Sequence, residues 1–274
     1  MRSVSCLSPS FLLDLLENRS FDKQQASEAA SWWSALAMMA NVVVLALIAG
    51  MYFAGAPLAA PTAHAGGALP IGSGFSSPNG VAVDRSGNVF VARQGDNAVY
   101  EIVAVNGVVL PSSVVKPIGS GFISPNGVAV DGSGNVFVAD SGNSAVKEIV
   151  AVGGVVSSSS AVNTIGSGFN QPQGVTVDGN GNVFVADSGN SAVKEIVAVG
   201  GVVSSSSVVN AIGSGFNQPT DVAVDGSGNI FVADYNNSAV YEVIAVGGVV
   251  SSSSAVNTIG SGFGSPYGVG VDGS

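Results

Sequence analysis

After residue 70 the chain is a succession of short apolar runs, each closed by a cluster of Gly, Ser, Asn and Asp. Gly127-Val128-Ala129-Val130-Asp131 ends at Gly-Ser-Gly, and Asn135-Val136-Phe137-Val138-Ala139-Asp140 ends at Ser-Gly-Asn. Ala145 to Val152 ends at Gly153-Gly154, and Ser160 to Ile165 leads into the next Gly-Ser-Gly. Runs this short, rich in β-branched residues and punctuated by turn formers, predict strands joined by tight turns. Gly recurs too often for helices. The first two runs are apolar at successive positions, so both of their faces are expected to be covered. Before residue 70 the pattern differs. From Ala35 to Phe53 there are 19 residues with only Asn41 strongly polar. At about 1.5 Å per residue this run nearly crosses a hydrocarbon core of about 30 Å, and Trp32, Trp33 and Tyr52 flank it as interfacial aromatics would. One transmembrane or signal helix is therefore predicted over residues 31–55.

The strand pattern repeats. Ile-Gly-Ser-Gly-Phe recurs at 71, 118, 165, 212 and 259, a step of 47 residues. Four repeats are complete, 71–117, 118–164, 165–211 and 212–258, and a partial fifth covers 259–274. The second and third differ at 7 of 47 positions. Four strands in a period of 40–50 residues are the signature of a propeller blade. A β-solenoid is the runner-up, but its coils are shorter and lack two hairpin turns each. The expected fold class is thus all-β: a β-propeller of four-stranded blades preceded by one helix. The domain plan is a cytoplasmic segment over 1–30, the helix over 31–55, a linker over 56–70 and the repeats over 71–274. The fifth repeat stops inside a turn that the others continue. The expectation is an open arc of four blades plus the inner strand Tyr267–Asp272, truncated from a six-bladed parent.

Within the repeat, Phe122-x-x-Pro125-x-Gly127 followed by Asp131, Gly134-Asn135, Asp140 and Asn143 resembles the NHL repeat, and the pattern recurs from Phe75, Phe169 and Phe216. The resemblance covers about three quarters of the chain. It implies a propeller that is six-bladed in typical members. Relatives serve as extracellular sensors, as RNA- or protein-binding platforms and, in amidating lyases, as enzymes. Two departures stand out. Ser144-Ala145 replace the basic residue that usually follows Asn143, which weakens an RNA-binding reading, and Arg93 stands where later repeats have Asp140.

Charge narrows the choice further. From Ile71 to Ser274 there are 14 acidic and 5 basic residues, a net of −9. Such a surface repels phosphate backbones, so no nucleic-acid partner is expected. The single cysteine, Cys6, precedes the repeats, so no disulfide staples them. Arg2, Arg19 and Lys23 precede the apolar run, and no cation follows it before Arg85. The positive-inside rule then places the repeats outside the cytoplasm, held to the membrane through the N-terminal helix. The alternative is secretion after cleavage at Ala63-His64-Ala65.

The chemistry-bearing motifs are few. Asp131-Gly-Ser133-Gly-Asn135, Asp178-Gly-Asn180-Gly-Asn182 and Asp225-Gly-Ser227-Gly-Asn229 resemble the start of a calcium loop, but the closing bidentate Glu is missing. Asx-capped hairpin turns are the alternative. No cofactor or metal site is assigned, Ca²⁺ being the candidate at these turns. Glu101, Glu148, Glu195 and Glu242 recur at one position and read as solvated outer-strand residues. Asp140, Asp187 and Asp234 read as Asx corners. The sole histidine, His64, lies outside the repeats, so no catalytic residue is assigned.

Differences between repeats cluster at two loop sets. The residue after the strand-one proline is Asn79, Asn126, Gln173, Thr220 or Tyr267. The loop after the second strand carries Gln94, Ser141, Ser188 and Tyr235. In an up-and-down blade these loops share a face, and loops on a rigid scaffold are where binding sits. These nine residues are the candidate binding face, for a protein or carbohydrate ligand; drift after recent duplication would also leave such differences. The expected function is a non-catalytic extracytoplasmic binding or sensor module. The alternative is a propeller-type lyase or lactonase with a metal in the central channel.

Overall fold

The computed structural model describes residues 70, 71, 75 and 77–272. Each complete repeat folds into one four-stranded antiparallel sheet with its strands in chain order. Blade one contains β1 (Pro78–Val83), β2 (Val89–Arg93), β3 (Ala98–Ile102) and β4 (Val115–Ile118). Blade two contains β5 (Pro125–Val130), β6 (Val136–Asp140), β7 (Ala145–Ile149) and β8 (Val162–Ile165). Blade three contains β9 (Pro172–Val177), β10 (Val183–Asp187), β11 (Ala192–Ile196) and β12 (Val209–Ile212). Blade four contains β13 (Pro219–Val224), β14 (Ile230–Asp234), β15 (Ala239–Val243) and β16 (Val256–Ser261). The inner strands β1, β5, β9 and β13 stand side by side in that order.

The core lies between blades. Phe90, Ala92 and Val99 of blade one pack with Val128, Val136, Val138 and Ile149 of blade two, and the next two blades repeat the arrangement. Both faces of β2, β6 and β10 are covered, which is why their sequences carry no polar alternation, and β14 leaves only Phe231 half-buried. A covering blade decides burial here. Val128, with blade one against it, is 6% exposed, whereas its counterpart Val81 on β1 is 66% exposed. The inner strands meet closely enough to demand glycine. A Cβ at Gly80 would strike the backbone carbonyl of Asn126, and one at Gly127 would strike that of Gln173.

Three expectations are corrected. The described residues are all-β, with two single-turn 3-10 segments at Ser141–Asn143 and Ser188–Asn190, and none of their helices is long and apolar enough to cross a membrane. A propeller preceded by a transmembrane helix is therefore not the architecture found; residues 31–55 themselves lie outside the described residues. Residues 267–272 do not form the expected inner strand, because no second strand of their own blade pairs with them among the described residues. They run beside β13, where Val269 N–H donates to Asp221 Oδ2 at 3.0 Å. Finally, Glu101, Glu148 and Glu195 are buried, not solvated. Glu148 stands between Phe137 and Asn163 on neighbouring strands, and a single-chain alternation pattern cannot show that this face is covered. Burial pushes its carboxyl and that of Glu195 upward, with Asp131 and Asp178 adding to the shift.

Candidate functional site

One corner of each blade joins the two variable loops. The residue before the strand-one proline takes a left-handed φ of 48° at Ser77, 47° at Ser124, 48° at Gln171 and 53° at Gln218. That bend brings the incoming loop against the loop after the second strand. Gln94 N–H donates to the Ser77 carbonyl at 3.1 Å, Gly142 N–H to Ile123 at 2.9 Å and Gly189 N–H to Asn170 at 2.9 Å.

Beneath the two loops a buried carboxylate holds them together. Asp140 is fully buried. Its Oδ1 accepts the Ile123 N–H at 2.7 Å, and its Oδ2 accepts Asn143 Nδ2 at 2.6 Å and pairs with Lys147 at 2.6 Å. Asp187 repeats this with Asn170, Asn190 and Lys194. In blade four Tyr241 occupies the lysine's position, and among the described residues Asp234 is held by N–H donors from Asn217 and Asn237. Burial pushes the Asp234 carboxyl up and outweighs those hydrogen bonds. In blade one the charges are exchanged: Arg93 pairs with Asp96 at 3.1 Å and lies 4.7 Å from the Tyr100 ring centre.

The variable residues from the two loop sets lie against one another. Asn79 Nδ2 donates to Gln94 Oε1 at 3.4 Å, and Gln173 Nε2 to Ser188 Oγ at 3.5 Å. Tyr235 and Tyr267 meet edge to face with ring centres 6.1 Å apart. Ser141 Oγ instead donates to the Pro172 carbonyl of the next blade, and Thr220 Oγ1 to the carbonyls of Ala233 and Pro266. Asn126 lines the cavity described next.

The inner strands enclose a cavity of about 240 Å³ on this side, lined by Asn79, Asn126, Gln173, Thr220, Asp221 and Tyr267 among others. Among the described residues Asp221 is the one charged group in its lining. Sequence reasoning missed it. The signal was present, because Asp221 stands where the other repeats have Gly80, Gly127, Gly174 and Gly268. Its carboxylate accepts N–H groups of Val222 and Val269, and burial still pushes it upward. The opposite mouth is lined by Asp84, Arg85, Asp131 and Asp178.

The calcium-like segments are hairpin turns stapled by their own aspartates. Asp131 Oδ1 accepts Ser133 N–H at 2.8 Å and Asn135 N–H at 2.9 Å, and its Oδ2 accepts Asn135 Nδ2 at 2.8 Å. Asn135 Oδ1 then accepts Ala151 N–H across the blade at 2.9 Å. Asp84, Asp178 and Asp225 do the same. Among the described residues no group of three or more His, Cys, Asp and Glu is placed to hold a metal ion.

No protein of curated function matches the sequence. Virginiamycin B lyase from Staphylococcus aureus aligns with 66% of this chain and 55% of its own, at 13% identity and a TM-score of 0.48. A streptogramin B lyase aligns over 67% and 54%, at 10% identity and a TM-score of 0.48. A chain of a nidogen/laminin complex aligns over 70% and 84%, at 14% identity and a TM-score of 0.41. The chain spans just over half the length of the two lyases. The family model for the NHL repeat matches residues 122–149, 169–196 and 216–240, one segment in each of blades two, three and four. Those segments run from the incoming-loop Phe through the buried aspartate to the third strand, so blades two, three and four each carry an NHL repeat.

Proposed function

We propose that the face carrying the two variable loop sets is the binding surface of a non-catalytic interaction module whose partner is a protein or peptide. One observation carries this reading: side chains that differ between otherwise near-identical repeats lie against one another around a single cavity. The third-to-fourth-strand hairpins on the opposite side, with exposed Val152 and Val199 beside their tips, keep one sequence through blades two, three and four and change only in blade one, at Asn106 and Leu110-Pro111. A rigid sheet under a diversified rim suits recognition, because little order is lost when the rim engages a partner. Tyr235 and Tyr267 are the natural anchors, since aromatic side chains offer large contact area at low entropic cost.

The test is selection of displayed random peptides on the immobilised full chain, followed by substitution. Selected peptides should lose at least tenfold in affinity with Tyr235→Ala or Tyr267→Ala and be unaffected by Val152→Ser or Val199→Ser. Peptides that ignore the rim substitutions and respond to the valine substitutions would move the binding surface to the other side.

A further inference from the structure

The cavity at the centre of the rim carries a more specific chemistry, and the argument rests on this face being the binding surface. Its lining is neutral except for Asp221. Among the described residues no ion pair is formed by that carboxylate. Lys116, Lys147 and Lys194 pair with Glu101, Asp140 and Asp187, Arg93 pairs with Asp96, and Arg85 lines the opposite mouth. Each Asp221 oxygen accepts one backbone N–H, which leaves further acceptor capacity on both. On the adjacent strand Gln173 Oε1 is shielded from water and accepts no hydrogen bond. Tyr267, 59% exposed and braced by Tyr235, forms an aromatic wall beside these acceptors.

A partly buried anion, an unfilled acceptor and an aromatic wall together call for a ligand that is cationic, rich in N–H donors and flat enough to lie along a ring. A guanidinium has all three properties: fixed charge, five donors and affinity for aromatic faces. A volume of about 240 Å³ is below that of drug-sized sites and suits one side chain. We infer that this cavity is a recognition pocket for a guanidinium group, such as an arginine side chain of a peptide partner, with Asp221 as its counter-charge. Gly at the corresponding place in the other repeats means that neither the neighbouring strand nor the turn requires a carboxylate here. An Asn side chain has one acceptor oxygen, enough to keep the inter-segment Val269 N–H, so loss of charge is separable from loss of that staple.

The experiment is titration of the purified full chain with N-acetyl-arginine amide, followed by amide NMR shifts. Saturable shifts are expected at Thr220, Val222 and Val269. Asp221→Asn should weaken binding at least tenfold with an unchanged melting temperature, and the neutral isostere N-acetyl-citrulline amide should bind at least tenfold more weakly to the native chain. Equal binding of the two amides, absence of saturable shifts, or an unaffected Asp221→Asn variant would overturn the assignment. Rim-dependent peptides without a basic residue would overturn it too, while leaving the broader reading of the face in place.

Discussion

The ammonium of Lys147 lies 2.6 Å from Oδ2 of the fully buried Asp140, and it also donates to the Gly121 carbonyl while resting 5.4 Å from the Phe122 ring centre. One side chain thus ties the third strand to the incoming loop and neutralises the carboxylate beneath the rim. Removing one partner of a buried pair leaves the other uncompensated, at a cost of about 3 kcal/mol. Lys147→Met should therefore lower hydrogen-exchange protection of blade-two amides by about that amount. Tyr241→Lys should raise protection in blade four, where Asp234 has no such cation. A Lys147→Met variant with unchanged protection would show that the remaining N–H donors suffice for Asp140.

Asp234 supplies a pH signature. Its folded-state carboxyl is raised by burial, so the folded chain holds this proton more tightly than the unfolded one. Folding is then penalised at pH values above the folded-state value. The penalty is relieved as pH falls through that value toward about 4, where an unfolded aspartate titrates. Relative to Asp234→Asn, the native chain should gain blade-four protection between pH 7 and pH 4.5. A difference that stays flat or shrinks would contradict this sign.

Two glycines should respond oppositely to the same substitution. Gly127→Ala presses a methyl group into the backbone of the next inner strand, an overpacking cost of about 1–3 kcal/mol. Gly226→Ala meets nothing within 4 Å and has no left-handed φ, so it should leave the urea midpoint unchanged or raise it slightly. Equal midpoints for the two variants would mean that adjacent blades can move apart without cost.

The stapled turns make a local prediction. Asp131→Ala removes three hydrogen bonds at 2.8–2.9 Å from one hairpin and should cost about 1–3 kcal/mol. The loss should appear first at the amides of Ser133 and Asn135, read by hydrogen exchange. Uniform loss across all four blades would mean that the array unfolds as one unit.

Much of this architecture is written locally. The 47-residue period, the Gly-Ser-Gly and Ser-Gly-Asn turns and the two-faced apolar runs each act within a few residues, so four strands per repeat are legible directly. What escaped depends on a neighbouring blade. Glu148 reads as solvated because nothing along its own strand reveals that its face is covered. Lys147 sits beside Glu148 in sequence yet pairs with Asp140 across the sheet. Asp221 escapes a loop-by-loop reading because its departure from Gly lies inside a strand. The helix over 31–55 rests on hydropathy alone and lies outside the described residues.

The close contacts at Gly80 and Gly127 make the joints after blades one and two the same joint, each with a bare α-carbon against the carbonyl of the next inner strand. Units joined this way are interchangeable parts. Unequal recombination that deletes or inserts one whole 47-residue period between them restores an identical joint while changing the number of blades and the set of rim residues. The array can therefore vary its recognition surface by gene-level slippage without re-solving its folding problem. Blade four is the exception, since Asp221 stands where the other repeats have glycine, and a period inserted after it would have to accommodate a carboxylate at the joint.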